Sequence, residues 1–192
     1  SAGREDTVRT LLQETLEQHG RILFNGDGYS EEWQQEAERR GLLNLRTAPE
    51  AFAHLTEEKN VALFAKHGIF TAAELTSRQE IHYETYAKCI RIEAATMAEM
   101  VRRQILPAVS AVTAELCERG WKKEQMGVSH KADDAVAREM GQLTDKLYAA
   151  TEKMERDLSK IPADAKKAMA YSHDHLIPDM EKSRELAARL EE

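Results

Sequence analysis

Apolar residues recur at steps of three and four along one stretch of the chain, from Thr71 to Arg119. This spacing places them on one stripe of a helix. The stripe consists of Tyr83, Tyr86, Ile90, Ala94, Met97, Val101, Ile105, Ala108 and Val112. A helix of this length would span roughly 70–75 Å, so it needs packing partners along its whole length.

Two further stretches show the same period and are predicted to be those partners. The stripe of the first is Val136, Met140, Leu143, Leu147, Ala150, Met154, Leu158 and Ile161. The stripe of the second is Ala165, Met169, Ser172, Leu176, Met180, Ala187 and Leu190. Short connections favour antiparallel neighbours. The pattern therefore predicts an all-α fold, a bundle of three long helices at roughly 71–119, 130–161 and 163–190.

The segment 4–70 is predicted to form short helices packed at one end of the bundle. Four polar residues stand where helix N-caps are expected: Ser30, Thr47, Thr56 and Thr71. A glutamate three positions after both Thr47 and Thr71 gives the spacing of a capping box. Together the short and long helices are expected to form a single helical domain over 1–192.

Two positions in the long helix have structural consequences. Pro107 lacks the N–H that a helix interior requires, so it should kink or split the helix. The simplest interpretation is a bend that lets the helix follow its partners. Glu93 lies beside the apolar stripe, so we predict that it is buried and paired with Arg40 from a short N-terminal helix. The alternative is a partly exposed residue at the edge of the stripe.

Composition narrows the class of protein. Charged residues make up 32% of the chain and the formal net charge is −7, which disfavours nucleic-acid partners. No apolar run approaches the ~20 residues of a membrane span, and the polar N-terminus shows no secretory leader. Cys89 and Cys117 are expected to be reduced, partly buried thiols of a cytoplasmic protein. A disulfide or a reactive thiol is the alternative.

A search for chemistry gives no catalytic, cofactor-binding or metal-ligating residue. No histidine follows a glutamate at the three-residue spacing of a di-iron bundle, and HExxH is absent. His173 and His175 are two apart, so on a helix they do not share a face and an exposed polar surface is the preferred interpretation. In an irregular segment, the alternative is that the two histidines bind one metal ion. The turn at 25–29, NGDGY, lacks the P-loop pattern. From its residues alone, the chain is a helical bundle without a visible active site.

Several phrases, however, resemble a known family. HGRILFNGDGYSEEWQQEAERRGLLNL (19–45) is similar to the segment that follows the catalytic core of type III glutamine synthetases. GIFTAAELTSRQEIHYETYAKCIRIEAATMAEMVRRQILPA (68–108) resembles the long helix of the same C-terminal region. HLIPDMEKSRELA (175–187) resembles a later part of it more loosely.

The resemblance implies the C-terminal helical domain of a glutamate–ammonia ligase, excised from a larger enzyme. The whole enzyme would use ATP and a divalent metal, Mg or Mn, but this fragment carries neither site and is expected to be inactive alone. Its role would be structural, supporting the catalytic domain of the same chain and contacts with other subunits of a homo-oligomer. The alternatives are a freestanding helical-bundle module that binds a protein partner, and a regulatory domain that binds an effector.

Overall fold

The computed structural model describes residues 2–191, and it confirms the predicted all-α bundle. No strand occurs within that range. The chain folds as two compact units, Ser1–Arg46 (unit 1) and Thr47–Glu192 (unit 2). The single domain over 1–192 stays a prediction. No helix of the described range is both long enough and apolar enough to cross a membrane.

The longest helix of unit 2 runs without interruption from residue 72 to 125. It consists of α5 (Ala72–Met100), a π-helical turn at Val101–Ile105 (π1) and α6 (Leu106–Gln125). The predicted capping box opens α5, because the Thr71 hydroxyl accepts the Glu74 N–H and the Glu74 carboxylate accepts the Thr71 N–H.

The helix ends later than predicted, because Gly120 does not break it. Gly120 is buried inside α6, and a Cβ there would lie 3.0 Å from Oδ1 of Asp134. The glycine therefore serves close packing of α6 on the next helix. The chain turns only beyond residue 125, at Gly127, whose φ of 69° is the left-handed conformation that glycine adopts readily.

The remaining long helices of unit 2 complete the bundle. They are α7 (Lys131–Leu158), and α8 (Ala165–Tyr171) joined through a second π-helical turn at Ser172–Leu176 (π2) to α9 (Ile177–Glu191). Helix α7 packs against α6 and α9, and α8 packs against α5. One core cluster contains Ile90, Ala94, Ala98, Met154, Leu176 and Met180, and the other contains Val101, Leu143, Leu147 and Leu186.

Two short helices of unit 2 pack on the first turns of α5, as predicted for this end of the bundle. They are α3 (Ala48–Ala53), with its predicted capping box at Thr47, and α4 (Glu58–Lys66). The Phe52 ring stacks on His82 with centroids 4.8 Å apart. The prediction that Thr56 caps α4 is wrong, because Glu57 occupies the N-cap position. The Thr56 hydroxyl instead donates to Gln79 of α5.

Unit 1 contains α1 (Ala2–His19) and α2 (Glu31–Arg39). The hydroxyl of Ser30 accepts the N–H of Trp33, which confirms Ser30 as the N-cap of α2. The rings of Phe24 and Trp33 lie with their centroids 4.7 Å apart. That the helices of unit 1 pack at one end of the bundle stays a prediction.

Candidate functional site

Each of the two π-helical turns precedes a proline inside a long helix. A proline cannot donate a hydrogen bond to the carbonyl four residues before it. For Pro107 that carbonyl belongs to Arg103, within π1, and for Pro178 it belongs to Asp174, within π2. Each π-helical turn therefore contains the carbonyl group that its proline leaves without an α-helical hydrogen-bond donor. Pro107 interrupts the α-helical hydrogen bonding without ending the helix; a kink at this position stays a prediction.

The π1 turn also changes which side of the helix faces the core. A π-helical turn contains one more residue than an α-helical turn, so it rotates the following residues by roughly 100°. The predicted stripe is wrong after Ile105: Ala108 and Val112 are exposed, whereas Val109 and Leu116 are buried. Before π1, the predicted stripe residues are buried or half-buried.

A groove of about 490 Å³ runs along α5 and π1 on one side and α9 on the other. Its apolar lining is Ile92, Met97, Met100, Val101, Ile105, Met180 and Ala187. Two charged residues, Glu93 on α5 and Arg184 on α9, line it from opposite walls. Val101 and Ile105 belong to π1, so one wall of the groove includes irregular helical backbone. π-helical turns are frequent at functional sites.

Glu93 is exposed, so the prediction that it is buried is wrong. Three residues rotate a helix by about 300°, which places Glu93 on the flank of the stripe, roughly 60° from Ile90. From that flank its side chain reaches the groove rim. Burial raises the pKa of the nearby Tyr86, and the negative charges of Asp174 and, to a smaller degree, Glu93 raise it further.

Arg40 binds groups of its own unit. Its guanidinium donates to the Glu36 carboxylate at 2.6 Å and to the main-chain carbonyls of Arg21 and Leu23 at 2.8 and 3.1 Å. Hydrogen bonds from Arg39 and Arg40 lower the pKa of Glu36 to about 2. Arg40 therefore connects the segment 21–23 to α2 through hydrogen bonds. These contacts do not support its predicted pairing with Glu93.

Three nearly buried aspartates, Asp133, Asp157 and Asp179, connect the long helices, and they were not predicted from the sequence. Asp157 on α7 accepts hydrogen bonds from Lys153, Lys160 and the Tyr171 hydroxyl at 2.8, 3.0 and 3.2 Å. Lys153 also donates to Asp179 of α9 at 2.6 Å. The hydrogen bonds from Lys153 and Lys160 hold the pKa of Asp157 well below its usual range.

A second cluster joins α6 to α7. Asp133 accepts hydrogen bonds from Arg119 at 2.8 Å and from Lys123 at 2.6 Å, which lower its pKa. Farther along the bundle, Arg102 of π1 binds Glu155 through two nitrogens and lies over the Tyr148 ring. These charges are used to hold helices together, so they are structural ion pairs.

The described residues do not group three or more metal-ligating side chains in one place. His173 and His175 both lie in π2, and they face different aromatic rings, Tyr86 and Tyr171. Cys89 and Cys117 are free and exposed, so the prediction of partly buried thiols is wrong. Each lies next to a buried residue, Ile90 or Leu116, and faces outward from it.

The interhelical ion pairs, the two π turns and the groove define an all-α domain of the long-helix bundle class. Comparison with known proteins is more specific. The chain belongs to the glutamine synthetase C-terminal domain family, whose model matches residues 7–124. This match confirms the resemblance to the C-terminal region of glutamine synthetases that was recognised in the sequence.

Three curated relatives agree with this assignment. A glutamine synthetase of Butyrivibrio fibrisolvens is 34% identical over 97% of this chain, and a type-3 glutamine synthetase of Dictyostelium discoideum is 42% identical over 61% of it. A glutamine synthetase of Bacteroides fragilis is 35% identical over 60% of the chain. The matches cover 27%, 16% and 16% of the three relatives, so the chain spans about a quarter or less of their length.

Proposed function

We propose that this chain is the accessory C-terminal domain of a longer, cytoplasmic type III glutamine synthetase. In that protein it supports the catalytic domain of the same chain and takes part in contacts between subunits of a homo-oligomer. The ligase reaction, which joins glutamate and ammonia with ATP and Mg or Mn, belongs to the rest of the enzyme. The family match supports the assignment to the C-terminal region, and the share of the relatives that it covers supports an accessory role.

The observation that carries the supporting role is the apolar surface of α1 in unit 1. Val8, Leu11, Leu12 and Leu16 are 49–61% exposed there. Scattered exposed leucines are common on protein surfaces, but several on one helix are typical of a surface that is covered in an assembly. Each leucine buried there would contribute about 1.5–3 kcal/mol to the contact.

The test places Leu12→Asp and Leu16→Asp together in the complete synthetase. Because two apolar contacts are replaced by charges that must be desolvated, we expect the assembled fraction to fall roughly tenfold or more, with a parallel loss of glutamine formation. Mass photometry measures the assembly. In the isolated chain, the same pair should leave the melting of unit 2 unchanged, since α1 lies in unit 1.

Gln18→Asp supplies the matched control, because it adds a charge at another exposed position of α1. It should leave both assembly and activity as they are. Unchanged assembly and activity in the double leucine variant would refute the supporting role of α1. A complete gene that encodes only this bundle would favour the freestanding interaction module instead.

A further inference from the structure

The groove between α5 and α9 is lined by one negative and one positive side chain, Glu93 and Arg184, that take no part in holding the described helices of the bundle together. Among residues 2–191, the described contacts give neither Glu93 nor Arg184 a hydrogen bond or an ion pair. Elsewhere in the bundle, facing helices do pair their charges, as Lys153 does with Asp179. The groove thus presents an unpaired carboxylate on one wall and an unpaired guanidinium on the other.

The floor of the groove adds a second, independent observation. Ser183 is 1% exposed and lines the groove, and its hydroxyl has no hydrogen-bond partner among the described residues. A buried polar group without a partner costs free energy, so such groups call for an explanation. A ligand atom that bonds this hydroxyl gains a hydrogen bond without displacing an existing partner.

The rest of the lining is apolar and adaptable. Met97, Met100 and Met180 are three of its side chains, and methionine fits irregular or varied apolar shapes because it is unbranched and polarizable. The volume of about 490 Å³ lies within the range of small-molecule sites, which combine an apolar lining with a few polar groups.

We propose that this groove binds a free α-amino acid with an apolar side chain. The carboxylate of the ligand pairs with the Arg184 guanidinium, whose planar fork suits a carboxylate. Its ammonium group pairs with Glu93, and its side chain lies on the methionines. A free amino acid carries an ammonium and a carboxylate group on the same carbon atom, so it can pair with both Glu93 and Arg184. The backbone of a docked helical peptide is neutral and cannot form these two ion pairs. The site goes beyond the proposed structural role and does not depend on it.

The test is titration calorimetry on the purified chain with L-leucine, L-methionine and L-phenylalanine as probes. Saturable binding is expected, with dissociation constants near or below about 1 mM. N-acetyl-leucine lacks the positive charge and leucinamide lacks the negative one, so each should bind roughly tenfold more weakly or worse. Glycine, which has no apolar side chain, should give no measurable heat.

Variants then locate the site. Glu93→Gln and Arg184→Gln should each weaken leucine binding roughly tenfold or more, because each removes one charge-assisted hydrogen bond. The matched controls are Glu181→Gln and Arg138→Gln, which change exposed charges away from the groove lining and should bind as the parent does. All of these positions are exposed, and circular dichroism melting verifies that each variant folds.

Ser183→Ala separates binding from folding. Because it removes a buried hydroxyl that has no partner, the melting temperature should stay the same or rise, while leucine binding weakens about threefold. The inference is overturned if the chain gives no binding heat at about 10 mM amino acid. It is equally overturned if the control variants lose binding as the groove variants do, or if only an amphipathic helical peptide binds.

Discussion

Deletion of Gln104 is expected to lower the free energy of unfolding of unit 2 by about 3–6 kcal/mol. Gln104 is an exposed residue of π1, and removing it takes out the additional residue of that turn. The following helix would then rotate by about 100° relative to α5. Val109 and Leu116 would leave the core, and each fully buried aliphatic side chain is worth about 1.5–3 kcal/mol.

Urea unfolding followed by circular dichroism measures the change. Gln104→Ala is the matched control, because it keeps the chain length and alters only an exposed side chain; its effect should stay within about 0.5 kcal/mol. If the deletion is as mild as the substitution, π1 does not set the orientation of α6, and the explanation given for the shifted core face is wrong.

Replacing Asp157 by alanine should lower the free energy of unfolding by about 1–3 kcal/mol. The change removes the acceptor of Lys153, Lys160 and the Tyr171 hydroxyl. It therefore breaks the link from α7 to Tyr171 of α8 and leaves only the Lys153–Asp179 hydrogen bond of this cluster between α7 and α9. Both lysines are more than half exposed, so they regain water, and the loss is smaller than for a fully buried pair.

The same variant has a defined pH dependence. The pKa of Asp157 is lowered in the folded chain, so its stabilising contribution is complete above the ordinary aspartate value of about 3.9 and is lost as the pH falls below it. On the alkaline side, the pKa of Lys153 is raised by Asp157 and Asp179. The contribution of Lys153 therefore persists up to its ordinary value of about 10.4 and is lost above it.

Urea unfolding at pH 7, 5 and 3 tests this expectation. The difference between parent and Asp157→Ala should be equal at pH 7 and 5 and smaller at pH 3. Asp145→Ala, at an exposed position of the same helix, serves as the control and should match the parent at all three values. A difference that persists undiminished at pH 3 would show that the ionised carboxylate is not what stabilises the bundle.

The helical architecture was predictable because it rests on local signals. The 3.6-residue period gave the three long helices, and the capping boxes at Thr47 and Thr71 gave two helix starts to the residue. At Gly120, tertiary packing determined the structure, and the predicted helix end did not occur. A glycine ordinarily suggests a helix end, yet here it allows close approach of α6 to Asp134.

The orientation of α6 was not predictable from the period. Ala108 and Val112 continue the stripe as well as Val109 and Leu116 do, so the sequence offers two nearly equal apolar faces. Pro107 shows that α-helical hydrogen bonding is interrupted, but the form of the interruption depends on which face the partner helices accept. Only the packed structure shows that the interruption takes the form of a π-helical turn.

The charged residues illustrate a second limit. Glu93 and Asp157 both lie beside apolar stripes, and only Asp157 is nearly buried. Lys153 and Lys160, four residues before and three after Asp157, could have indicated its cluster. That Asp179 of α9 joins this cluster is visible only in the folded structure. The same is true of the groove that Glu93 shares with Arg184 of α9.

One assay tests the proposed accessory role most directly: glutamine formation from glutamate, ammonia and ATP with Mg. We expect no glutamine above the buffer blank with the purified 192-residue chain, and ready turnover with the longer synthetase that we propose contains it. Glutamine formation by the purified chain alone would contradict the proposal that the chemistry lies in the rest of the enzyme, provided that a mock purification without the chain shows no activity.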